Sequence, residues 1–365
     1  MVKSTRPTHG GNRSWAAQYT SCEPEAILDF SASINPLGPP QSVLTALADH
    51  LSSLKAYPDP SYGGLRKALS DFHRLPIDWI LPGNGAAELL TWIGRELAQL
   101  DTTYLVTPAF ADYHRALTAF GASVALCPMD LSAGTPMAVR VPFPSQAQSC
   151  GLLLNNPHNP SGLLTPRDDL LPYLEQFDLV VVDEAFMDFL PPDQQQSLLD
   201  LVPDFPNLIV LRSLTKFYSL PGLRLGYAVG HPHYLQRWQQ WRDPWPVNTL
   251  AEVAAIAALQ DHAFQQRTWD WLPPSRSALM QGLQTLPGLT PLPSAANFLL
   301  VRTEVPSSQL QRALLQSHQI LIRDCLSFPE LGDRYFRIAV RLPTENNQLL
   351  TGLAQVLAQV LAQVL

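Results

Sequence analysis

Between about residue 77 and residue 230 the chain alternates short apolar runs with longer stretches of helical patterning. The short runs are Thr103 to Val106, Gly151 to Leu154, Leu179 to Val182, Leu208 to Leu211 and Leu225 to Val229. Each has the length of a strand buried on both faces, and each ends in a polar or glycine-bearing segment. Strands alternating with helical patterns predict β-α-β units and a mostly parallel sheet flanked by helices. From about residue 250 the pattern becomes helix-rich, followed by candidate strands at Asn297 to Val301 and Tyr335 to Val340. That predicts a second, smaller α/β domain. The repeat Leu353-Ala354-Gln355-Val356, continued through Leu365, spaces its apolar positions three and four apart and predicts a terminal packing helix. The expected organisation is an arm over residues 1–40 that contributes to the small domain and the active site, a large domain over 41–250 and a small domain over 251–365.

In open α/β sheets ligands bind outside the carboxyl ends of the strands. Three polar clusters fall there: Asn155-Asn156-Pro157-His158-Asn159-Pro160-Ser161-Gly162, then Asp183-Glu184-Ala185-Phe186, then Ser213 to Lys216. Bulk properties narrow the chemistry. A chain of 365 residues with 46% hydrophobic and 15% charged residues suits a two-domain globular protein. No run approaches the roughly 18 to 20 apolar residues of a membrane helix. The polar N-terminal stretch lacks a secretory core, so a cytoplasmic protein is expected. A net charge of −7 and a pI near 5.7 oppose nonspecific nucleic-acid binding. Cys22, Cys127, Cys150 and Cys325 have no C-x-x-C spacing, so neither a metal site nor a disulfide framework is expected.

Composition singles out one residue. The chain holds four lysines, Lys3, Lys55, Lys67 and Lys216, against twenty arginines among its 24 basic residues, and Lys216 is the only lysine after position 67. A generic positive charge here is nearly always arginine, so a retained amine points to chemistry that guanidinium cannot perform. A desolvated lysine can lose its proton and attack a carbonyl carbon, forming a Schiff base. A solvated surface lysine is the plain alternative, but Lys216 follows the apolar run Leu208 to Leu211 and precedes the turn signals Pro221, Gly222 and Gly226.

Ser213-Leu214-Thr215-Lys216, with Arg224-Leu225-Gly226 eight residues beyond the lysine and Asp183 thirty-three before it, resembles the signature of the fold-type-I pyridoxal-phosphate enzymes, the aminotransferase superfamily. The resemblance implies that Lys216 carries the cofactor as a Schiff base and then moves protons. It implies that Asp183 pairs with the pyridine nitrogen and that Asn159 donates to the phenolic oxygen. Ser213 and Arg224 match the family's phosphate contacts. Gly85 and Ala86, in Gly83-Asn84-Gly85-Ala86-Ala87-Glu88, add small residues where backbone N–H groups of a helix start face an anion. Phe110 matches the aromatic that stacks on the cofactor ring, and Tyr57 a tyrosine that reaches the phosphate from a neighbouring subunit, implying a homodimer with shared active sites. Taken singly, Asp183 also suits a helix cap, Phe110 a core position, Tyr57 a turn and His158 a loop.

Several segments resemble one branch, the L-threonine O-3-phosphate decarboxylases of cobalamin biosynthesis: His9-Gly10-Gly11-Asn12, Asp29 to Gly38, Asp183 to Phe186 and Ile322-Arg323-Asp324-Cys325. The implied reaction converts that phosphorylated amino acid to (R)-1-amino-2-propanol O-2-phosphate. Phe186 stands where aminotransferases usually place a tyrosine that donates to the phenolic oxygen, which brings the reaction type into question. A substrate with a carboxylate and a phosphate asks for two cationic anchors, and the resemblance implies Arg337 for the carboxylate and Arg323 for the phosphate, with His9 and Asn35 assisting. Arg341 reads as a surface charge, and Arg212 and Asn248 as supporting groups without an assigned role. Histidinol-phosphate aminotransferase is the alternative enzyme, and a cofactor-binding regulator the non-enzymatic one. Such a regulator needs a basic DNA-binding domain, for which this acidic chain leaves no room.

Overall fold

The computed structural model describes residues 6–20, 22–131, 141–142 and 148–362. The larger unit comprises Leu37–Asn159 and Leu163–Trp269. Its centre is a seven-stranded sheet in the order Ile80–Asn84, Leu225–Gly230, Leu208–Ser213, Leu179–Asp183, Cys150–Asn155, Thr102–Thr107, Val124–Pro128. Every pair is parallel except the two made by Leu225–Gly230, which runs against both neighbours. The α/β expectation is met, and each of the five anticipated runs is a strand. The three central ones, Cys150–Asn155, Leu179–Asp183 and Leu208–Ser213, are buried at every position, as a sheet covered on both faces requires.

Two strands lie outside the five anticipated runs, and both lie at the sheet's edges. Ile80–Asn84 carries Pro82 and Gly83, which read as a turn. An edge strand tolerates proline because one side of its ladder has no partner. Val124–Pro128 is apolar in sequence, Val124-Ala125-Leu126-Cys127, but short, ended by a proline and largely solvent-facing.

The smaller unit comprises the described residues of Met1–Pro36, Pro160–Gly162 and Asp270–Leu365. It holds an antiparallel sheet in the order Arg323–Asp324, Tyr335–Ala339, Phe298–Thr303, Leu289–Pro291, with the helices Ser307–His318 and Pro343–Ala362 packed on each other. The N-terminal segment joins it through Leu28–Asp29, which pairs in parallel with Ile320–Leu321. The last helix ends at Ala362, and the part of the repeat beyond it lies outside the described residues. The division between units falls at 36/37 and 269/270, not at 40/41 and 250/251. Helix Thr249–Gln260 packs on Gln41–Asp49 and Gly63–His73 and therefore belongs to the larger unit. Among the described residues no helix is long and apolar enough to cross a membrane.

Candidate active site

The antiparallel strand explains how residues far apart in sequence meet. Leu225–Gly230 lies between Ile80–Asn84 and Leu208–Ser213, so its first residues sit beside the last residues of both neighbours: Gly226 pairs with Gly83 on one side and Ser213 on the other. Arg224, Gly85 and Ser213 are thereby brought to one end of the sheet. Packing there is tight, since a Cβ on Gly226 would lie 2.6 Å from Ala86 N and 2.8 Å from Arg212 O. Gly85 opens helix Gly85–Leu97 with φ +74°, and a Cβ there would lie 2.7 Å from Arg224 Nη2. The Asn84 N–H donates to Glu88 Oε2 at 2.6 Å, which holds the first turn. A helix start with small residues, beside an exposed guanidinium, is a seat for an anion.

Lys216 lies in the short helix Leu214–Phe217, capped by Ser213, whose Oγ is 2.8 Å from Thr215 Oγ1. Asp183 ends the adjacent strand and is buried. Its Oδ2 accepts from the Tyr113 hydroxyl at 2.8 Å and its Oδ1 from the Ala185 N–H at 3.0 Å. Burial pushes the carboxyl above its ordinary range, against which the Tyr113 hydrogen bond, the Ala185 N–H and the Lys216 charge all act. Asn155, opposite Asp183 in register, has a buried Oδ1 without a hydrogen-bond partner among the described residues, and so does Thr107 Oγ1. The loop that follows is pinned by Asn156, whose side chain exchanges two hydrogen bonds of 2.9 Å with the Thr165 backbone. Asn159 is buried in that loop. His158 beside it is buried too, and burial lowers it to about 4, opposed by a hydrogen bond with the Pro108 backbone, so it is a neutral internal histidine and not a solvated loop residue.

Phe110 sits at the start of helix Ala111–Ala119, half-buried, with its ring 5.7 Å from that of Tyr113 and nearly perpendicular to it. Lys216, Asp183, Ser213, Arg224, Gly85, Ala86, Phe110 and Asn159 all belong to the larger unit, at or just beyond the ends of its strands. Tyr57 is in the same unit but 80% exposed, stacked on the exposed Trp245 at 4.5 Å. Phe186 is buried.

The remaining candidates lie in the smaller unit. Arg323 and Arg337 are direct partners on adjacent antiparallel strands. Burial first, and the neighbouring Arg323 charge second, lower Arg337 to about 10. Arg323 donates to the carbonyls of Pro7 and Thr8 and to Ser327 Oγ. His9 and Arg323 line one small cavity. The arm is held by an Arg6–Asp324 ion pair and by the Gly11 N–H on Ser31 Oγ, which itself donates to Asp29. Asn35 is buried in the same unit.

Three residues of open role now have contacts. Arg212 is fully buried between Glu184 at 2.9 Å and Asp188. Asn248 caps helix Thr249–Gln260 and donates to the Leu223 carbonyl next to Arg224. Arg341 is not a plain surface charge, because it donates to the Asp29 carbonyl at 3.1 Å and pairs with Glu345 at 2.6 Å. Sequence reasoning passed over Tyr113, whose signal was its position three residues after Phe110 at the start of one helix.

Threonine-phosphate decarboxylase of Salmonella typhimurium is 40% identical over 354 residues, 96% of each chain. Histidinol-phosphate aminotransferase of Symbiobacterium thermophilum is 34% identical over 338 residues, 91% of each. The crystal structure of L-threonine-O-3-phosphate decarboxylase from Porphyromonas gingivalis superposes with a TM-score of 0.81 at 25% identity, covering 91% of this chain and 100% of that one. The family model for aminotransferase class I and II matches residues 25–352, a span that takes in every strand building the cluster around Asp183 and Lys216, and the chain belongs to that family.

Proposed function

We propose that the chain is a pyridoxal 5'-phosphate-dependent decarboxylase that converts L-threonine O-3-phosphate to (R)-1-amino-2-propanol O-2-phosphate, a step of cobalamin biosynthesis. The cofactor fits the residues present. The cradle at Gly85, the Arg224 guanidinium beside it and Ser213 suit its phosphate, and the buried Asp183 carboxylate, within reach of the Lys216 charge, suits its ring nitrogen while the Lys216 amine suits its aldehyde. When bound, the cofactor supplies an electron-withdrawing ring that lets a bond at the substrate's α-carbon break. Asp183 would place negative charge at the ring nitrogen. Asn159 would donate to the phenolic oxygen, Phe110 would cover the ring face, and the N–H groups of Gly85 and Ala86 would join Ser213 and Arg224 at the phosphate. Lys216 would hold the cofactor covalently between turnovers, and its amine would be the group that returns a proton to the α-carbon after carbon dioxide leaves.

The observation that carries the substrate assignment is the Arg323–Arg337 pair. Two guanidinium groups on neighbouring strands, Arg323 buried and Arg337 half-buried, repel each other and would be stabilised by an anion that reaches both. In this reading Arg337 takes the carboxylate and Arg323 the phosphate, with His9 and Asn35 as further donors. Which α-carbon bond breaks is a matter of orientation. The missing hydroxyl at Phe186 and the 40% identity to a threonine-phosphate decarboxylase favour loss of the carboxylate.

A homodimer belongs to the same reading. Leu44, Leu51, Leu54, Tyr57 and Trp245 are exposed apolar residues of the larger unit, available to a second copy, in which Tyr57 would reach the phosphate of the neighbouring site. The experiment is carbon dioxide release from carboxyl-labelled L-threonine O-3-phosphate by the full chain with pyridoxal phosphate and no added 2-oxo acid. Turnover that requires 2-oxoglutarate and yields glutamate would instead support histidinol-phosphate aminotransferase, the activity named for the Symbiobacterium relative.

A further inference from the structure

Tyr113 is buried in the core of the larger unit among Leu105, Leu153 and Val181, yet its hydroxyl leaves that apolar setting to meet a carboxylate. A tyrosine needed only for packing gains nothing from its O–H there, because burying a hydroxyl without a partner is costly and phenylalanine has the same ring. We propose that Tyr113 is a positioning residue of the cofactor site, which fixes Asp183 for the ring nitrogen through its hydroxyl and props Phe110 through its ring. Both contacts are in place: the O–H donates to Asp183 Oδ2 at 2.8 Å, and the ring meets Phe110 edge to face at 5.7 Å and 87°. With Oδ1 held by the Ala185 N–H, the carboxylate is gripped at both oxygens and cannot rotate freely.

The charge around Asp183 makes that grip consequential. Burial raises its pKa, Asp112 adds a like charge, and only Tyr113, the Ala185 N–H and Lys216 oppose them. Asp112 is itself paired with Arg115. Tyr113 remains a donor throughout the working range, since burial and the Asp183 charge push its own pKa well above 10. Removing the hydroxyl therefore frees one carboxylate oxygen and raises the Asp183 pKa, both of which weaken its hold on a protonated ring nitrogen.

The inference rests on the cofactor reading above, and the test separates the two. Full-length wild type, Tyr113→Phe, Asp183→Asn and the double variant are titrated with pyridoxal 5'-phosphate across a range of pH, with circular dichroism and melting recorded alongside. Tyr113→Phe is expected to stay folded and to bind roughly tenfold to a hundredfold more weakly, the effect of one hydrogen bond to a charged group. The acid limb of its affinity profile moves to higher pH, because Asp183 now takes up a proton sooner. In the Asp183→Asn background the same change has an effect within about twofold, since its route is gone. Unchanged affinity and acid limb in Tyr113→Phe, or an equal loss in both backgrounds, overturns the inference while leaving the cofactor reading intact. Failure of the wild type to bind pyridoxal phosphate overturns the cofactor reading and this inference with it.

Discussion

The phosphate seat makes a prediction that separates backbone strain from loss of a ligand contact. Gly85 has φ +74°, a region that costs a non-glycine residue about 1–2 kcal/mol, so Gly85→Ala destabilises the fold by that order. The added Cβ also arrives 2.7 Å from Arg224 Nη2. That atom is the free end of an exposed side chain, so the guanidinium moves and the sheet does not. A displaced guanidinium forfeits a charge-assisted contact of about 1.5–3 kcal/mol, or roughly tenfold to a hundredfold in pyridoxal phosphate affinity. Gly121→Ala is the control, because Gly121 has φ +70° with no atom within 4 Å of its added Cβ. Urea unfolding of the apoprotein should fall by a similar amount in both variants. Cofactor titration should weaken only in Gly85→Ala. Equal cofactor affinity for the two variants would refute the reasoning that Arg224 and Gly85 form one anion seat.

Arg323→Gln and Arg337→Gln should each raise the KM for L-threonine O-3-phosphate by roughly tenfold to a hundredfold while leaving cofactor affinity unchanged, measured by steady-state kinetics and titration. Arg212→Met leaves Glu184 and Asp188 buried without their counter-charge and should cost about 3–5 kcal/mol in urea unfolding. His158 stays neutral in the folded chain down to about pH 4, whereas an unfolded histidine protonates near 6.5. Between those values the unfolded state holds more protons, so His158 lowers stability progressively as pH falls from 6.5 toward 4. His158→Gln should make the fall in the urea midpoint between those pH values shallower, and an unchanged slope would contradict the burial argument.

The buried strands were legible because a sheet covered on both faces must be written in continuous apolar residues, and Leu208 to Leu211 or Leu179 to Val182 can be little else. The edges were passed over: Ile80–Asn84 contains proline and glycine, and Val124–Pro128 is a short apolar run that ends in proline. Lys216 and Asp183 were legible from the ends of those runs and from the scarcity of lysine. What stayed hidden was the middle distance. Nothing in the sequence says that an antiparallel strand delivers Arg224 to Gly85, that Tyr113 reaches back to Asp183, or that Arg323 faces Arg337 across two strands. Those relations follow from strand order and register, which local patterning does not encode.

The central claim is that this chain, loaded with pyridoxal phosphate, removes a carboxylate and not an amino group from L-threonine O-3-phosphate. The most direct measurement is the product formed from L-threonine O-3-phosphate in deuterated water, analysed by NMR and mass spectrometry with and without 2-oxoglutarate. The account predicts 1-amino-2-propanol O-2-phosphate carrying one solvent deuteron at the former α-carbon, formed at the same rate in both conditions. A phosphorylated 2-oxo acid that appears only with 2-oxoglutarate, together with glutamate, would contradict it.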